Sequence, residues 1–265
     1  MKVLCAILIE EKSDKMNKRH SKILELLTEH KKMEVTKLSE LLDVSQVTIR
    51  KDLVSLENSG IIIREHGYAT LNDSEDIKNR LAYHYDSKQR IAQKAVESIQ
   101  NGETVMIESG SCCALVALEI AQTKKDVTLI TNSAFIADYI RKIGTVKIIL
   151  LGGEYQNESQ VMVGPITRKC AEAFYVDKLF IGTDGFTKET GFTGNDYMRS
   201  EAVRDMAKQA DKVIIVTDSV KFHQKGVVNL LRTEDVDCIY TDSDIPSEVE
   251  EYLLGKNIEV CKVNP

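Results

Sequence analysis

The stretch Ser45-Gln-Val-Thr-Ile-Arg-Lys-Asp-Leu-Val-Ser-Leu56 restricts what this chain can fold into more than any other. The Ser45 hydroxyl can accept from the unpaired amides of a first helical turn and good helix formers follow, so a helix is expected to start there. At about 100° per residue, Ile49, Leu53 and Leu56 share one stripe, while Val47 and Lys51 point away from it and Thr48 and Arg50 flank the free face. Upstream, Val35-Thr-Lys-Leu-Ser-Glu-Leu-Leu-Asp43 places apolar residues at Val35, Leu38, Leu41 and Leu42, leaving room only for a tight turn before Ser45. Downstream, Glu57-Asn-Ser-Gly60 reads as a helix stop, and Ile61-Ile-Ile-Arg64, His66-Gly67-Tyr68 and Ala69-Thr-Leu71 as two short strands around a glycine turn. A segment from Met16 to Leu27 adds a first helix with Ile23, Leu24 and Leu27 inward. Helix, helix, tight turn, capped helix and wing, in that order, describe a winged helix-turn-helix whose last helix meets the major groove of DNA. A small helical bundle with a merely solvated charged face is the bland alternative.

Charge supports this reading by segment rather than as a whole. The 265 residues carry a net charge of −6, which argues against a protein that binds DNA over its entire surface. Residues 16–71 hold nine Lys/Arg and eight Asp/Glu, against twenty-three and thirty in residues 72–265. The front is near neutral; the acidic rear keeps the protein off non-specific DNA. The opening Val3-Leu-Cys-Ala-Ile-Leu-Ile9 is too short to span a bilayer and lacks a cleavage pattern, so neither a membrane segment nor export is expected. Cys5, Cys112, Cys113, Cys170, Cys238 and Cys261 show no paired Cys-x-x-Cys spacing, so neither a disulfide framework nor a zinc site is expected, and a reducing cytoplasm fits.

Behind a polar stretch beginning Asn72-Asp-Ser-Glu-Asp, short continuous apolar strands alternate with helices. Strands are expected at 104–108, 127–131, 146–151, 178–182, 213–217 and 238–241, with helices at 91–99, 114–121, 134–142, 169–175 and 200–210. That pattern implies a mainly parallel sheet covered on both faces. Ligands of such sheets bind outside the carboxyl ends of the strands, which puts weight on the loops that follow them. Five are polar or Gly-rich: Glu108-Ser-Gly-Ser-Cys-Cys113, Thr131-Asn-Ser133, Gly152-Gly-Glu154, Gly182-Thr-Asp-Gly-Phe186 and Asp218-Ser-Val-Lys-Phe222. The first leads into a helix, where free amides can hold an anion such as phosphate.

Arg19-His20, Ile23-Leu24, Leu38, Val44-Ser45, Thr48-Ile-Arg50, Asp52-Leu53, Leu56-Glu57, Gly60 and Arg64-x-His-Gly67 resemble the N-terminal domain of DeoR-family bacterial transcription regulators. Lys51 stands where that family usually has a second Arg, and Tyr68 replaces the second of a Gly pair. From about Ala92 onward the chain resembles the family's sensor domain, itself similar in fold to ribose-5-phosphate isomerase and coenzyme A transferases. The resemblance implies an extension at 1–16, a winged helix-turn-helix at 17–72, a linker at 73–90 and an effector-sensing α/β domain at 91–265. It implies operator contacts from Ser45, Gln46, Val47, Thr48, Arg50, Lys51, Arg64 and His66. It further implies a phosphorylated sugar or related metabolite as effector, with its phosphate at Ser109, Gly110 and Ser111 and Lys221 as charge partner. Glu108, Cys112, Asn132, Gly152, Gly153 and Asp184 complete the expected effector site. Where the family usually has Asp-x-Gly-Thr-Thr, this chain has Glu108-Ser-Gly-Ser-Cys-Cys113, and a thiol donates more weakly than a hydroxyl. The vicinal cysteines could pack or could sense redox state or metal. The rival class is a phosphosugar isomerase; Asp184 sits in a suitable Asp-Gly context, but Thr187 occupies the place of the second acid such chemistry needs. No catalytic residue, metal or cofactor is therefore expected, and a homo-oligomer repressing a carbohydrate operon is.

Overall fold

The computed structural model describes residues 19–27, 30–58, 61–71 and 77–264, which divide between Asp86 and Ser87 into two compact units. The expected extension at 1–16, the helix stop at Gly60 and the start of the expected linker, 72–76, lie outside the described residues.

In the first unit, helix α1 (residues 19–27) is followed by strand β1 (Lys32–Glu34), α2 (Val35–Leu41) and α3 (Gln46–Asn58). Strands β2 (Ile62–Glu65) and β3 (Tyr68–Leu71) form the wing. The expected apolar stripes close on one core: Ile23, Leu24 and Leu27 from α1, Leu38 from α2, Ile49, Leu53 and Leu56 from α3, Ile62 and Ala69 from the wing. Leu41, expected inside, is 49% exposed; as the last residue of α2 it turns away, and Leu42 packs against the core instead. The wing has a third strand that periodicity did not reveal, β1, antiparallel to β3 in the order β1-β3-β2. His66 and Gly67 join β2 to β3 with positive φ at both, 50° and 86°, the geometry whose twist matches a tight hairpin. Helix α4 (Ile77–Ala82) closes the described part of this unit.

The second unit begins within α5 (Tyr85–Val96), so helix occupies much of the stretch read from polarity as linker. Its centre is a seven-stranded sheet of β4 (Thr104–Ile107), β5 (Thr128–Thr131), β6 (Lys147–Leu150), β9 (Val176–Ile181), β12 (Ala210–Val216), β14 (Cys238–Asp242) and β15 (Glu259–Val263). The order is β15-β14-β12-β9-β4-β5-β6 and every pairing is parallel. Consecutive residues of β4, β5, β9, β12 and β14 are buried, as expected when both faces are covered. Helices α6 (Ser111–Thr123), α7 (Ala134–Ile140), α8 (Pro165–Ala171), α9 (Tyr197–Ala207) and α10 (Ser247–Gly255) alternate with the strands. Helix α8 starts earlier than the apolar pattern suggested because Pro165 at its first position presets the backbone angle and Gly164 precedes it at φ 87°.

Two small sheets were not foreseen. A hairpin pairs β7 (Glu154–Gln156) with β8 (Val161–Val163), and β10 (Gly185–Thr187), β11 (Gly191–Gly194) and β13 (Val228–Leu231) form an antiparallel sheet in the order β10-β11-β13. That sheet is too glycine-rich to show alternation. At Gly185 a Cβ would lie 2.4 Å from the Gln224 carbonyl, so only glycine lets the two backbones approach. Phe186, Phe192, Phe222 and Tyr252 cluster beside it.

Candidate functional site

Helix α3 begins as its residues dictate. The Ser45 hydroxyl accepts from the Thr48 amide at 3.2 Å and lies 2.9 Å from the Thr48 hydroxyl. Gln46, Arg50 and Lys51 are exposed and Val47 is 63% exposed, while Ile49, Asp52, Leu53 and Leu56 are buried. Neither Arg50 nor Lys51 has an ion-pair partner among the described residues, so the first two turns offer one guanidinium and one ammonium group to an outside anion. His66 is exposed at the wing tip. Arg64 is engaged: its Nη1 lies 3.2 Å from Glu57 Oε2 at the end of α3, which ties wing to helix. Lys32 of the extra strand lies over the exposed Tyr68 ring at 4.7 Å and adds a cation to the wing.

What holds α3 in place is a buried carboxylate. Asp52 Oδ2 and Oδ1 accept from Arg19 Nε at 2.5 Å and Nη2 at 2.8 Å, a two-pronged pair joining α1 to α3, and His20 Nε2 lies 3.4 Å from Asp52 Oδ1. Burial lowers the His20 pKa, against the pull of Asp52 in the other direction. These groups fix α3 against α1, a role that a pattern of apolar spacing does not reveal.

In the second unit the five polar loops do follow β4, β5, β6, β9 and β12, all parallel, so all leave one edge of the sheet. At the β4 end the Glu108 carboxylate occupies the loop's own donors. Its Oε1 accepts from the Ser109 hydroxyl at 2.7 Å, and its Oε2 from the Gly110 amide at 2.8 Å and the Gly182 amide at 3.2 Å. Ser109 and the Gly110 amide therefore face inward to Glu108. The first-turn amides of α6, at Ser111, Cys112 and Cys113, have no acceptor four residues back within the helix and remain the anion-favouring donors here.

Around Cys112 stand Lys88, Asp218 and Lys221. Lys88 of α5 and Asp218 after β12 are both about 6% exposed at the side chain, with Nζ 3.7 Å from Oδ2, and the Asp218 Oδ1 is buried without a hydrogen-bond partner. Lys221, half-buried in the short 3-10 turn Ser219–His223, donates to Gln224 Oε1 at 3.1 Å. Burial pushes the Cys112 thiol up to about 12 and Cys113 well above the usual thiol range, leaving both neutral. The other expected positions make contacts of their own. Asp184 accepts from the Asn195 amide at 3.0 Å, Asn132 donates to the Met162 carbonyl at 3.0 Å, and Gly152 and Gly153 pack against α8, where a Cβ on Gly153 would meet Thr167 at 2.0 Å. Lys88 was missed because it sits in the polar stretch; the available signal was a lysine on the same helical stripe as Ile91, Ala92 and Ala95.

With both sites described, comparison decides the family: residues 19–75 match the DeoR-like helix-turn-helix domain and residues 83–243 the DeoR C terminal sensor domain. The chain belongs to the DeoR family. It is a DNA-binding transcriptional regulator. It aligns with its relatives over most of its length. The HTH-type transcriptional regulator GolR of Listeria innocua is 30% identical over 86% of this chain and 91% of its own length. The glycerol-3-phosphate regulon repressor of Escherichia coli K12 is 29% identical over 93% and 98%. Among solved structures, a ribose 5-phosphate isomerase from Plasmodium falciparum is similar over 51% of this chain and 52% of its own, at 20% identity and a TM-score of 0.36. No described helix is long and apolar enough to cross a membrane.

Proposed function

We propose that this DeoR-family regulator is a cytoplasmic repressor of a carbohydrate-utilisation operon, that it acts as a homo-oligomer, and that a phosphorylated sugar relieves repression. Residues Ser45 to Thr48, Arg50 and Lys51 read the operator, with Arg64 and His66 steadying the wing on the backbone. Two half-sites are the usual route to useful affinity when one short helix does the reading. In the sensor unit the effector's phosphate is held by the α6 amides after Gly110 and by Lys221, and its hydroxyls by the neighbouring polar side chains. The observation that carries this reading is the first turn of α6 at Cys112, whose amides lack acceptors within the helix and whose electrostatic surroundings include Lys221 and Lys88, the latter paired with Asp218. The name of the E. coli relative, a glycerol-3-phosphate regulon repressor, points to the same class of small phosphate ester.

A ligand shifts DNA affinity only if it binds the DNA-competent and DNA-free forms unequally, and a coupling of about 1–3 kcal/mol is typical. The test is operator binding, on DNA from upstream of the protein's own gene, under titration with a panel of sugars and their phosphates. Release by a phosphorylated sugar is expected, with Lys221→Ala still binding DNA but releasing it only at higher effector concentration. Equal action of unphosphorylated sugars, or an unchanged midpoint for Lys221→Ala, overturns phosphate sensing.

A further inference from the structure

Outside both sites, among the described residues, one group of side chains has the composition of a metal centre: Cys238, Glu259 and Cys261, whose ligand atoms all lie within 4.8 Å of one another. The parallel register explains the meeting. Cys238 pairs with Glu259 and Tyr240 with Cys261, and paired residues of neighbouring strands project to the same face, so both thiols and the carboxylate share one face of the β14–β15 pair. Cys238 is buried at the start of β14, Cys261 is half-buried on the edge strand, and Glu259 reaches solvent, so the cluster has one closed side and one open approach. It lies toward the amino ends of the strands, away from the loops of the effector site.

A disulfide does not suit this geometry. The thiols are displaced by one strand and two residues, which at about 4.8 Å between strands and about 3.3 Å per residue puts the Cα atoms roughly 8 Å apart, beyond the ~7 Å that a disulfide can bridge. A metal ion spans such a gap. Two thiolates at about 2.3 Å from a tetrahedral zinc ion sit about 3.8 Å apart, within the range found here, and a carboxylate oxygen and one water complete four ligands. Hard cations such as magnesium or calcium prefer all-oxygen sites, so two sulfurs select a thiophilic ion.

We propose that Cys238, Cys261 and Glu259 bind a divalent thiophilic cation of the zinc class, which pins the edge strand β15 to β14. The Cys261 thiol now lies 3.4 Å from Glu259 Oε1. On binding, two thiol protons leave to solvent, two metal–sulfur bonds and one metal–carboxylate bond form, and the centre carries one net negative charge. Lys94, paired with Glu97 at 2.6 Å, acts on Cys261 as a positive charge and offsets part of that net negative charge.

The test is titration of the reduced full-length protein with cobalt(II), followed by displacement with zinc(II). Expected is one cobalt per chain with a near-ultraviolet sulfur-to-cobalt charge-transfer band, its loss on zinc addition, and a higher melting temperature with zinc. Cys261→Ser, at the half-exposed position that spares the core, abolishes the band, while Cys170→Ser leaves it unchanged. Glu259→Gln keeps the band but binds at least about tenfold more weakly, as loss of a direct ligand costs no less than loss of a supporting one. No charge-transfer band in the parent protein, a band that survives Cys261→Ser, or unchanged affinity in Glu259→Gln overturns the assignment.

Discussion

The reading helix and the strand-end loops solve recognition in opposite ways. On α3 the side chains proposed to meet DNA, Arg50 and Lys51, are exposed and have no ion-pair partner among the described residues, while the Ser45–Thr48 bond at the helix start and the Asp52–Arg19 pair on the buried side hold the helix. In the sensor unit buried polar groups are already bonded, Glu108 to three donors and Lys88 to Asp218, and the half-buried Asp184 accepts from Asn195. DNA brings a continuous wall of phosphates, so free charges on a rigid scaffold suffice. A small effector must instead displace or exploit internal partners, and this is what lets binding change the protein. Substitutions on α3 should therefore change affinity alone, whereas substitutions at the strand ends should change response.

The largest effect expected is on α3. Arg50→Ala or Lys51→Ala should cost about 1–3 kcal/mol in operator affinity, with an unchanged melting temperature and an unchanged effector midpoint. Fluorescence anisotropy at fixed salt measures this; an altered effector midpoint would erase the proposed division between the regions. A contact to a base should relax discrimination at one operator position, and one to phosphate should flatten the salt dependence.

At the strand ends, Lys88→Met should leave the first-unit scaffold intact yet raise the effector concentration needed for release by about tenfold, since it removes a buried cation facing the α6 turn. Because the change also strands the Asp218 carboxylate, the double variant Lys88→Met/Asp218→Asn should recover stability but not the response. Recovery of both by the double variant would make the pair purely structural. Cys112 gives a milder contrast. With its thiol pushed up to about 12, it should react with iodoacetamide at pH 7.5 far more slowly than a free cysteine, and mass mapping of the native protein should find it unmodified while the half-buried Cys170 is labelled.

How much of this was legible follows from the same contrast. Helix α3 announces itself because Ser45, Ile49, Leu53 and Leu56 are neighbours in sequence and their spacing is the helix period. Six strands of the parallel sheet were legible because buried strands are short continuous apolar runs, while the edge strand β15, only partly buried, was not. The sheet β10-β11-β13 was not, because glycines at 185, 191 and 194 erase alternation, and neither was β1, which has three residues. The strand-end groups were half legible: polar loops mark where a site lies, but not that Glu108 folds onto its own loop or that Lys88 arrives from a helix far upstream. The cluster of Cys238 and Cys261 is the extreme case, since only the register of β14 against β15 brings them together.

The smallest effect concerns the joint beneath α3. His20 is mostly buried, and burial lowers its pKa below the ordinary histidine value of about 6.5 despite Asp52 nearby. Above that value both folded and unfolded chains hold a neutral imidazole, and His20 contributes nothing to the pH dependence. As pH falls through about 6.5, the unfolded chain takes up a proton before the folded one does, so stability is lost from there down to the lower, folded-state pKa and stays level beneath it. Proton NMR of the His20 ring should show a midpoint below that of a solvent-exposed histidine. His20→Gln should flatten the decline in melting temperature as pH falls below about 6.5. A His20 midpoint above 6.5 would mean that the Asp52 carboxylate outweighs burial, and would turn this contact from a neutral packing joint into a second ion pair beside Arg19.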